Sequence, residues 1–349
     1  MKALITGGAG FVGSNLAAHL LQQGGHEVSV FDSLARYGAD VNLAWLRTLG
    51  LTDFTHGDIR NAFDVEQIIR RVEPKVIFHL AGQVAMTTSM QSPRRDFEIN
   101  VLGSINVLES IRLYTPETAV IYASSNKVYG NLEHLDLVER ETRYQPRAYD
   151  PALGGAFGGV DERTAIEFHT PYGCSKGSAD QYMLDYARGF GLKSVVFRHS
   201  TIYGGRQFAT YDQGWVGWFV RQALESKQDP TRPAFTVSGD GKQVRDLLHV
   251  SDTVRCYLAA YEHINEARGQ AFNIGGGVEN SMSLLELLLH LENRLGITLN
   301  YTRLPWRFND QRYFVADNGK VTRATGWSPR VTKAEGIEDT IAWETSRQA

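Results

Sequence analysis

Short, nearly continuous apolar runs alternate with longer amphipathic stretches through the first half of the chain. "KALIT" (Lys2–Thr6), "EVSVFD" (Glu27–Asp32), "KVIFHLA" (Lys75–Ala81), "AVIYASS" (Ala119–Ser125) and "SVVFRHS" (Ser194–Ser200) read as strands of a parallel sheet covered on both faces. Between them, Gly13–Gln23, Phe63–Arg71, Asp96–Tyr114 and Tyr172–Gly189 carry helical patterns. Strand–helix–strand repetition implies right-handed crossovers and an α/β fold with a doubly wound parallel sheet. Ligands of such sheets bind at the carboxyl ends of the strands. One of those ends, "SSNKVYG" (Ser124–Gly130), closes an apolar strand with two hydroxyls, an amide and an ammonium.

Two stretches interrupt the alternation: "LARYGADVNLAWLR" (34–47) and the long, Gly- and charge-rich 131–171, which is expected to fold over a site. Beyond residue 200 aromatics cluster in "IYGGRQFATYDQGWVGWF" (202–219), followed by short strands and a helix in "SLLELLLHLENRLG" (283–296). The expected division is a sheet domain of residues 1–200 and 244–277, closed over by a smaller mixed α/β domain of 201–243 and 278–349. No internal repeat or low-complexity tract appears.

With 349 residues, 42% of them hydrophobic, the chain can bury a large core. The net charge is −3 with both signs interspersed, so no polybasic footprint for nucleic acid or anionic lipid exists. Cys174 and Cys256 are the only cysteines, which suits a reducing compartment and suggests no metal site. No apolar stretch reaches the ~20 residues of a membrane span. The chain opens directly on a strand, leaving no room for a signal peptide. These features predict a soluble, cytoplasmic protein.

"TGGAGFVG" places Gly7, Gly10 and Gly13 between the first strand and the first helix. The first glycine serves a tight turn, the second lets the backbone approach a pyrophosphate, and the third packs helix on sheet. The helix then presents unpaired N–H groups to the phosphates. The spacing is G-x-x-G-x-x-G, weak evidence alone but strengthened by Asp32 at the tip of the second strand. An acid there accepts the ribose hydroxyls of NAD and repels the 2′-phosphate of NADP. Arg36 is a competing signal, since a nearby arginine suits that 2′-phosphate. Asp58 in "HGDIR" is placed to receive the adenine amino group, or is a plain turn aspartate. "HLAGQ" ends the fourth strand with Leu80, Ala81 and Gly82, small enough for a cofactor lying across it, followed by Gln83.

"YGCSK" sets Tyr172 and Lys176 four residues apart, hence on one helix face. Free tyrosine, with a pKa near ~10, is a poor base at neutral pH. A neighbouring ammonium and an oxidised nicotinamide would stabilise its phenolate. Tyr172 would then take the proton of a sugar hydroxyl as hydride leaves the same carbon. As a bare pattern Y-x-x-x-K is weak; its weight comes from the dinucleotide framework around it. Cys174, between the pair, points to a different face and reads as packing.

Together "TGGAGFVG", Asp32, "SSNKVYG" and "YGCSK" resemble the extended short-chain dehydrogenase/reductase superfamily of nucleotide-sugar epimerases and dehydratases. The resemblance continues through "RHSTIYG", "SGDGKQVRDLLHVSD", "FNIGGG" and "RFNDQRYFVAD", and so spans nearly the whole chain. It implies a Rossmann domain holding NAD tightly and regenerating it each cycle, with a nucleotide-sugar site in the smaller domain. It also implies a Ser125–Tyr172–Lys176 triad, with Lys176 holding the nicotinamide ribose and Ser125 bonding the reacting oxygen. The cofactor set it implies is Gly7, Gly10, Phe11, Val12, Gly13, Asp32, Ser33, Arg36, Asp58, Ile59, Leu80, Ala81, Gly82, Asn100, Tyr172 and Lys176. A strand-terminal serine with no chemical role is the plainer reading of Ser125.

Family members that dehydrate the sugar carry Asp and Glu after the catalytic hydroxyl, where this chain has Asn126 and Lys127. An amide delivers no proton and an ammonium is no carboxylate base, which argues against a dehydratase and for epimerisation through a transient ketone. Within the superfamily the chain looks most like the CDP-paratose 2-epimerases, which implies inversion at C2 ahead of C4. Gln83, Ser125, Asn126, Lys127, Thr201, Arg206, Arg245 and Arg307 are the implied substrate contacts, the arginines because guanidinium binds phosphate bidentately. Thr201 stands where the family often has Asn, which weakens that contact. His199 reads equally as a contact or as a structural histidine. The family's habit of pairing helices between subunits implies a homodimer or tetramer. The rivals are a nucleotide-binding regulator without chemistry and a net dehydrogenase that releases its cofactor.

Overall fold

The computed structural model describes residues 1–147 and 159–348. The first half runs β1 (Lys2–Thr6), α1 (Phe11–Gln23), β2 (Glu27–Asp32), α2 (Ala39–Thr48), β3 (Asp53–His56), α3 (Ala62–Val72), β4 (Val76–His79), α4 (Met86–Gln91), α5 (Pro93–Phe97), α6 (Gly103–Tyr114) and β5 (Ala119–Ser125). It continues through β6 (Leu137–Glu139), β7 (Tyr144–Pro146), α7 (Thr170–Phe190), β8 (Lys193–His199) and β9 (Thr201–Tyr203). The rest comprises α8 (Trp215–Gln228), β10 (Phe235–Ser238), β11 (Val244–His249), α9 (Val250–Glu262), α10 (Ile264–Ala267) and β12 (Gln270–Ile274). After these come β13 (Ser281–Ser283), α11 (Leu284–Leu295), β14 (Tyr301–Leu304), β15 (Tyr313–Phe314), α12 (Gly319–Thr325) and α13 (Lys333–Gln348).

Seven strands form one sheet in the order β12-β8-β5-β4-β1-β2-β3, every pair parallel. Alternate residues of each strand feed two cores. Ala3, Ile5, Val76, Phe78 and Ile121 pack with α1, α2 and α9 on one face, while Leu4, Ile77, Val120 and Tyr122 pack with α3, α6 and α7 on the other. Burial on both faces is why these strands carry no polar stripe. Strand order reverses between β1 and β4, and the crevice at their carboxyl ends is where ligands of such sheets bind.

A third core joins α8, α11 and α13 beneath the short strands of the smaller unit. Here the expected division shifts. β11 pairs with β9, β13 and β15, not with the large sheet, although its Leu248 packs into the core of the sheet domain ahead of α9. α12 also returns to that domain, carrying Val321 into its core together with Trp327 beyond it.

Two helical readings change. The 34–47 stretch contains α2, whose Ala39, Leu43 and Leu46 are buried at helical spacing. The helix expected over Asp96–Tyr114 is broken by a π-turn at Glu98–Leu102, a feature common at functional sites. Of the long 131–171 stretch, β6 and β7 form an antiparallel pair; residues 148–158 lie outside the described residues. No helix among the described residues is long and apolar enough to cross a membrane.

Candidate active site

The turn after β1 is packed too closely for side chains. Gly7 has φ +70°, and a Cβ there would lie 2.6 Å from the Ala81 nitrogen. A Cβ on Gly13 would lie 2.3 Å from the Gly7 carbonyl oxygen. Gly10 precedes α1 as its N-cap with no side-chain cap bond, so the N–H groups of Phe11, Val12 and Gly13 begin the helix without intrahelical partners, an arrangement that suits an anion. Asp32 steadies this loop, accepting from the Ala9 N–H at 3.0 Å and the Leu34 N–H at 2.8 Å. Burial raises the Asp32 carboxyl's pKa, and the backbone N–H groups of Leu34, Ala9 and Gly10 oppose that rise. A bare glycine turn, an uncapped helix start and an acid at the neighbouring strand tip fit a dinucleotide.

The remaining cofactor candidates divide. Leu80, Ala81 and Gly82 follow β4 into the crevice, and a Cβ on Gly82 would come 3.6 Å from Lys176 Nζ. Asn100, in the π-turn, fixes this segment by donating to the Gln83 carbonyl at 3.0 Å and accepting from its N–H at 2.9 Å. The Ser33 carbonyl meets His56 Nε2 at 3.2 Å. Asp58 is engaged by Arg60 at 2.6 Å, and Ile59 is buried in the core. Arg36 donates to Thr210 at 3.1 Å and so leans toward the smaller unit.

Ser125, Tyr172 and Lys176 come together at the end of β5 and the start of α7, all buried. The expected acidification of Tyr172 is absent from the protein alone. Burial pushes the phenol up to about 12, with the Ser125 hydroxyl drawing it down and Asp96 pushing it up. A phenolate in a dry pocket loses more solvation than one hydrogen bond returns. Lys176 sits 4.3 Å from the ring centroid of Tyr122. Burial pushes its ammonium down to about 7, against the pull of Asp96 and Asp180.

Beside the triad opens a cavity of about 270 Å³ whose lining includes Ser125, Asn126, Lys127, Tyr172, Thr201, Arg245 and Arg307. Sequence reading missed its anchor, Asp310. Lys127 Nζ lies 3.3 Å from Asp310 Oδ1 and Arg245 Nη2 lies 2.9 Å from the same oxygen. Burial pushes Lys127 down to about 8, with Asp310 resisting. Burial favours the neutral form of Asp310, but Lys127 and Arg245 outweigh it and hold the carboxyl below its usual range. Asn126 Nδ2 donates to Gln311 Oε1 at 3.1 Å, and Thr201 accepts from the Trp215 indole at 3.2 Å. Arg307 donates to the Tyr211 carbonyl at 2.9 Å. Trp218 and Gln243 also contribute to its lining. Of the implied substrate contacts, Ser125, Asn126, Lys127, Thr201, Arg245 and Arg307 all line this cavity.

Other candidates lie elsewhere. Arg206 is not in the cavity: its guanidinium is held between Trp45 at 4.0 Å and Trp343 at 4.7 Å, an arrangement that locks α2 to α13. The Gln83 amide is turned away onto the Ala85 carbonyl at 2.8 Å and Asp96 at 2.9 Å, because the connection from β4 into α4 needs its backbone satisfied. His199 is structural, bonded through Nδ1 to the Ser124 carbonyl at 2.9 Å and through Nε2 to Tyr257 at 3.0 Å. Cys174 is exposed rather than packed, as its place on the outer face of α7 dictates.

Residues 3–275 match the NAD dependent epimerase/dehydratase family. The chain belongs to that family. NAD is accordingly its cofactor, and the glycine turn and Asp32 are the features that suit it. A CDP-paratose 2-epimerase from Salmonella typhi is 54% identical over 350 residues, covering 99% of this chain and 100% of the relative. The UDP-glucose 4-epimerase of Thermotoga maritima, solved with UDP-glucose, aligns with TM-score 0.83 and 28% identity over 100% of both chains. The Thermus thermophilus UDP-glucose 4-epimerase, solved with NAD, aligns with TM-score 0.79 and 28% identity over 99% of each. The fold, the family and the cofactor expected from the sequence are thereby established.

Proposed function

We propose that this protein inverts C2 of a CDP-linked 3,6-dideoxyhexose, converting CDP-paratose to CDP-tyvelose through a transient 2-keto sugar. It is an isomerase, an NAD-dependent epimerase of a nucleotide sugar. The carrying observation is the 54% identity with a CDP-paratose 2-epimerase along the whole length of both chains. The site supports it: Asn126 and Lys127 leave no carboxylate pair beside Ser125 for eliminating water.

When bound, NAD supplies a hydride acceptor and a positively charged ring beside the triad. Ser125 holds the reacting hydroxyl. Tyr172 removes its proton and later returns one, so a single residue serves both half-reactions. Lys176 stabilises the phenolate, which burial alone disfavours. Lys127, Arg245 and Arg307 gather positive charge around the substrate's diphosphate, while Asn126 orients the hexose. The cofactor remains bound through the cycle. Exposed Leu113 on α6, and Tyr182 and Phe190 on α7, give those helices an apolar outer face suited to pairing with a second copy in a homodimer. Two free cysteines suit a cytoplasmic enzyme.

The test is a panel of CDP-, GDP- and UDP-sugars incubated without added cofactor, with product stereochemistry read by NMR. Conversion of CDP-paratose to CDP-tyvelose is expected. Inversion only at C4 of another sugar, or net accumulation of NADH, contradicts the proposal. Tyr172→Phe is expected to lose about 10²–10⁴-fold in kcat while retaining NAD.

A further inference from the structure

We propose that residues 205–213 form a strap across the cofactor crevice and that Asp212 is the latch holding it shut over NAD. The segment leaves β9 at Gly204, with φ +133°, and enters α8 through Gly214, with φ +81°. Both angles suit glycine and make the two ends turning points. The first half of the strap is tied to elements that follow β1 and β2. Asn15 of α1 donates to the Gly205 carbonyl at 3.1 Å. Buried Asn42 of α2 donates to the Arg206 carbonyl at 3.3 Å and to the Ala9 carbonyl at 3.2 Å, so strap and glycine turn share one amide. Arg206 itself has φ +70°, a strained angle for a residue with a side chain, kept in place by the two tryptophans around it.

The second half reaches the other side, to the helix that follows β4. Thr210 and Gln213 close a turn with backbone bonds of 2.9 and 3.1 Å, and Asp212 projects from it. Its Oδ2 accepts from the hydroxyls of Thr88 at 3.2 Å and Thr87 at 3.3 Å, both on α4. Its Oδ1 accepts from the Thr210 hydroxyl at 2.6 Å, which in turn accepts from Arg36 at 3.1 Å. α4 is braced on the catalytic helix, since Ser89 accepts from the Tyr172 N–H at 3.2 Å. The crevice at the reversal between β1 and β4 therefore lies between two sets of anchors, and a dinucleotide running from the glycine turn toward Tyr172 passes beneath the strap. Tyr211, Asp212 and Gln213 also line the cavity beside Tyr172, so the same tip shuts both spaces. The two halves differ in kind. The first is held by backbone carbonyls and buried rings, whereas the Asp212 contacts are made by partly exposed side chains that water can replace, the mark of an end that opens. Tyr211 is tied to the smaller unit through its carbonyl and Arg307 at 2.9 Å, so opening parts the tip from α4.

The test is the rate at which NAD-loaded enzyme exchanges its cofactor for excess radiolabelled NAD, with no sugar present. Asp212→Ala removes the acceptor. The double variant Thr87→Val, Thr88→Val removes the donors across the crevice and leaves the Thr210–Asp212 bond in place. Each is expected to release NAD about tenfold faster or more than the parent. Combining the three substitutions is expected to add little to Asp212→Ala, because both changes break the same bonds. A double threonine variant that keeps NAD as long as the parent overturns the proposal. So does a combined variant whose acceleration is the product of the separate ones, the result of a general loosening of the fold. Asp212→Asn serves the same comparison if the Ala variant does not fold. Cofactor exchange needs no sugar, so its outcome is independent of whether the protein inverts C2.

Discussion

Arg245 Nη2 and Asp310 Oδ1 lie 2.9 Å apart in the wall of the cavity beside Tyr172. Lys127 shares that oxygen, so one carboxylate holds two cations that burial would otherwise neutralise or scatter. Asp310→Ala leaves both unpaired and is expected to cost about 3 kcal/mol of stability. A diphosphate can take the place of the lost carboxylate. Thermal unfolding should therefore show CDP raising the Tm of the variant more than that of the parent. Equal shifts would place these cations away from the nucleotide.

Arg206 tests the opposite assignment. Its guanidinium lies between two tryptophan rings, and cation–π contacts of this kind contribute about 1 kcal/mol each. Arg206→Ala should lower the Tm and leave KM for the nucleotide sugar unchanged. A KM raised tenfold or more would return Arg206 to the phosphate site.

Buried His199 makes the fold acid-sensitive. Burial pushes its pKa from 6.5 down to about 4, so the unfolded chain takes up this proton first. Its contribution is fully present above about pH 6.5 and lost as pH falls through about 4. At the acid end the loss amounts to roughly 3 kcal/mol. His199→Asn should flatten the fall in Tm across that window. A slope identical to the parent's would assign acid lability to other groups.

The sheet and the glycine turn were legible because their causes are local. Strands buried on both faces must be apolar throughout, and Gly7 and Gly13 sit in a turn whose tightness a strand–turn–helix pattern already demands. Tyr172 and Lys176 were legible because one helix carries both. What pattern alone could not reveal were contacts assembled by the fold. Asp310 meets Lys127 across 183 positions of sequence, and Arg206 is claimed by tryptophans of α2 and α13 that no local periodicity connects to it. Gln83 sits at the expected strand end, yet its amide serves the chain's own backbone. The pairing of β11 with β9, β13 and β15 is likewise a long-range choice, since an apolar strand reads alike in either sheet.

The most direct measurement follows deuterium during turnover of CDP-paratose in heavy water. Internal return of the abstracted hydride predicts CDP-tyvelose with protium at C2, visible as an undiminished H2 signal in the NMR spectrum. Deuterium at C2 of the product would contradict it, because the inverted hydrogen would then have come from solvent.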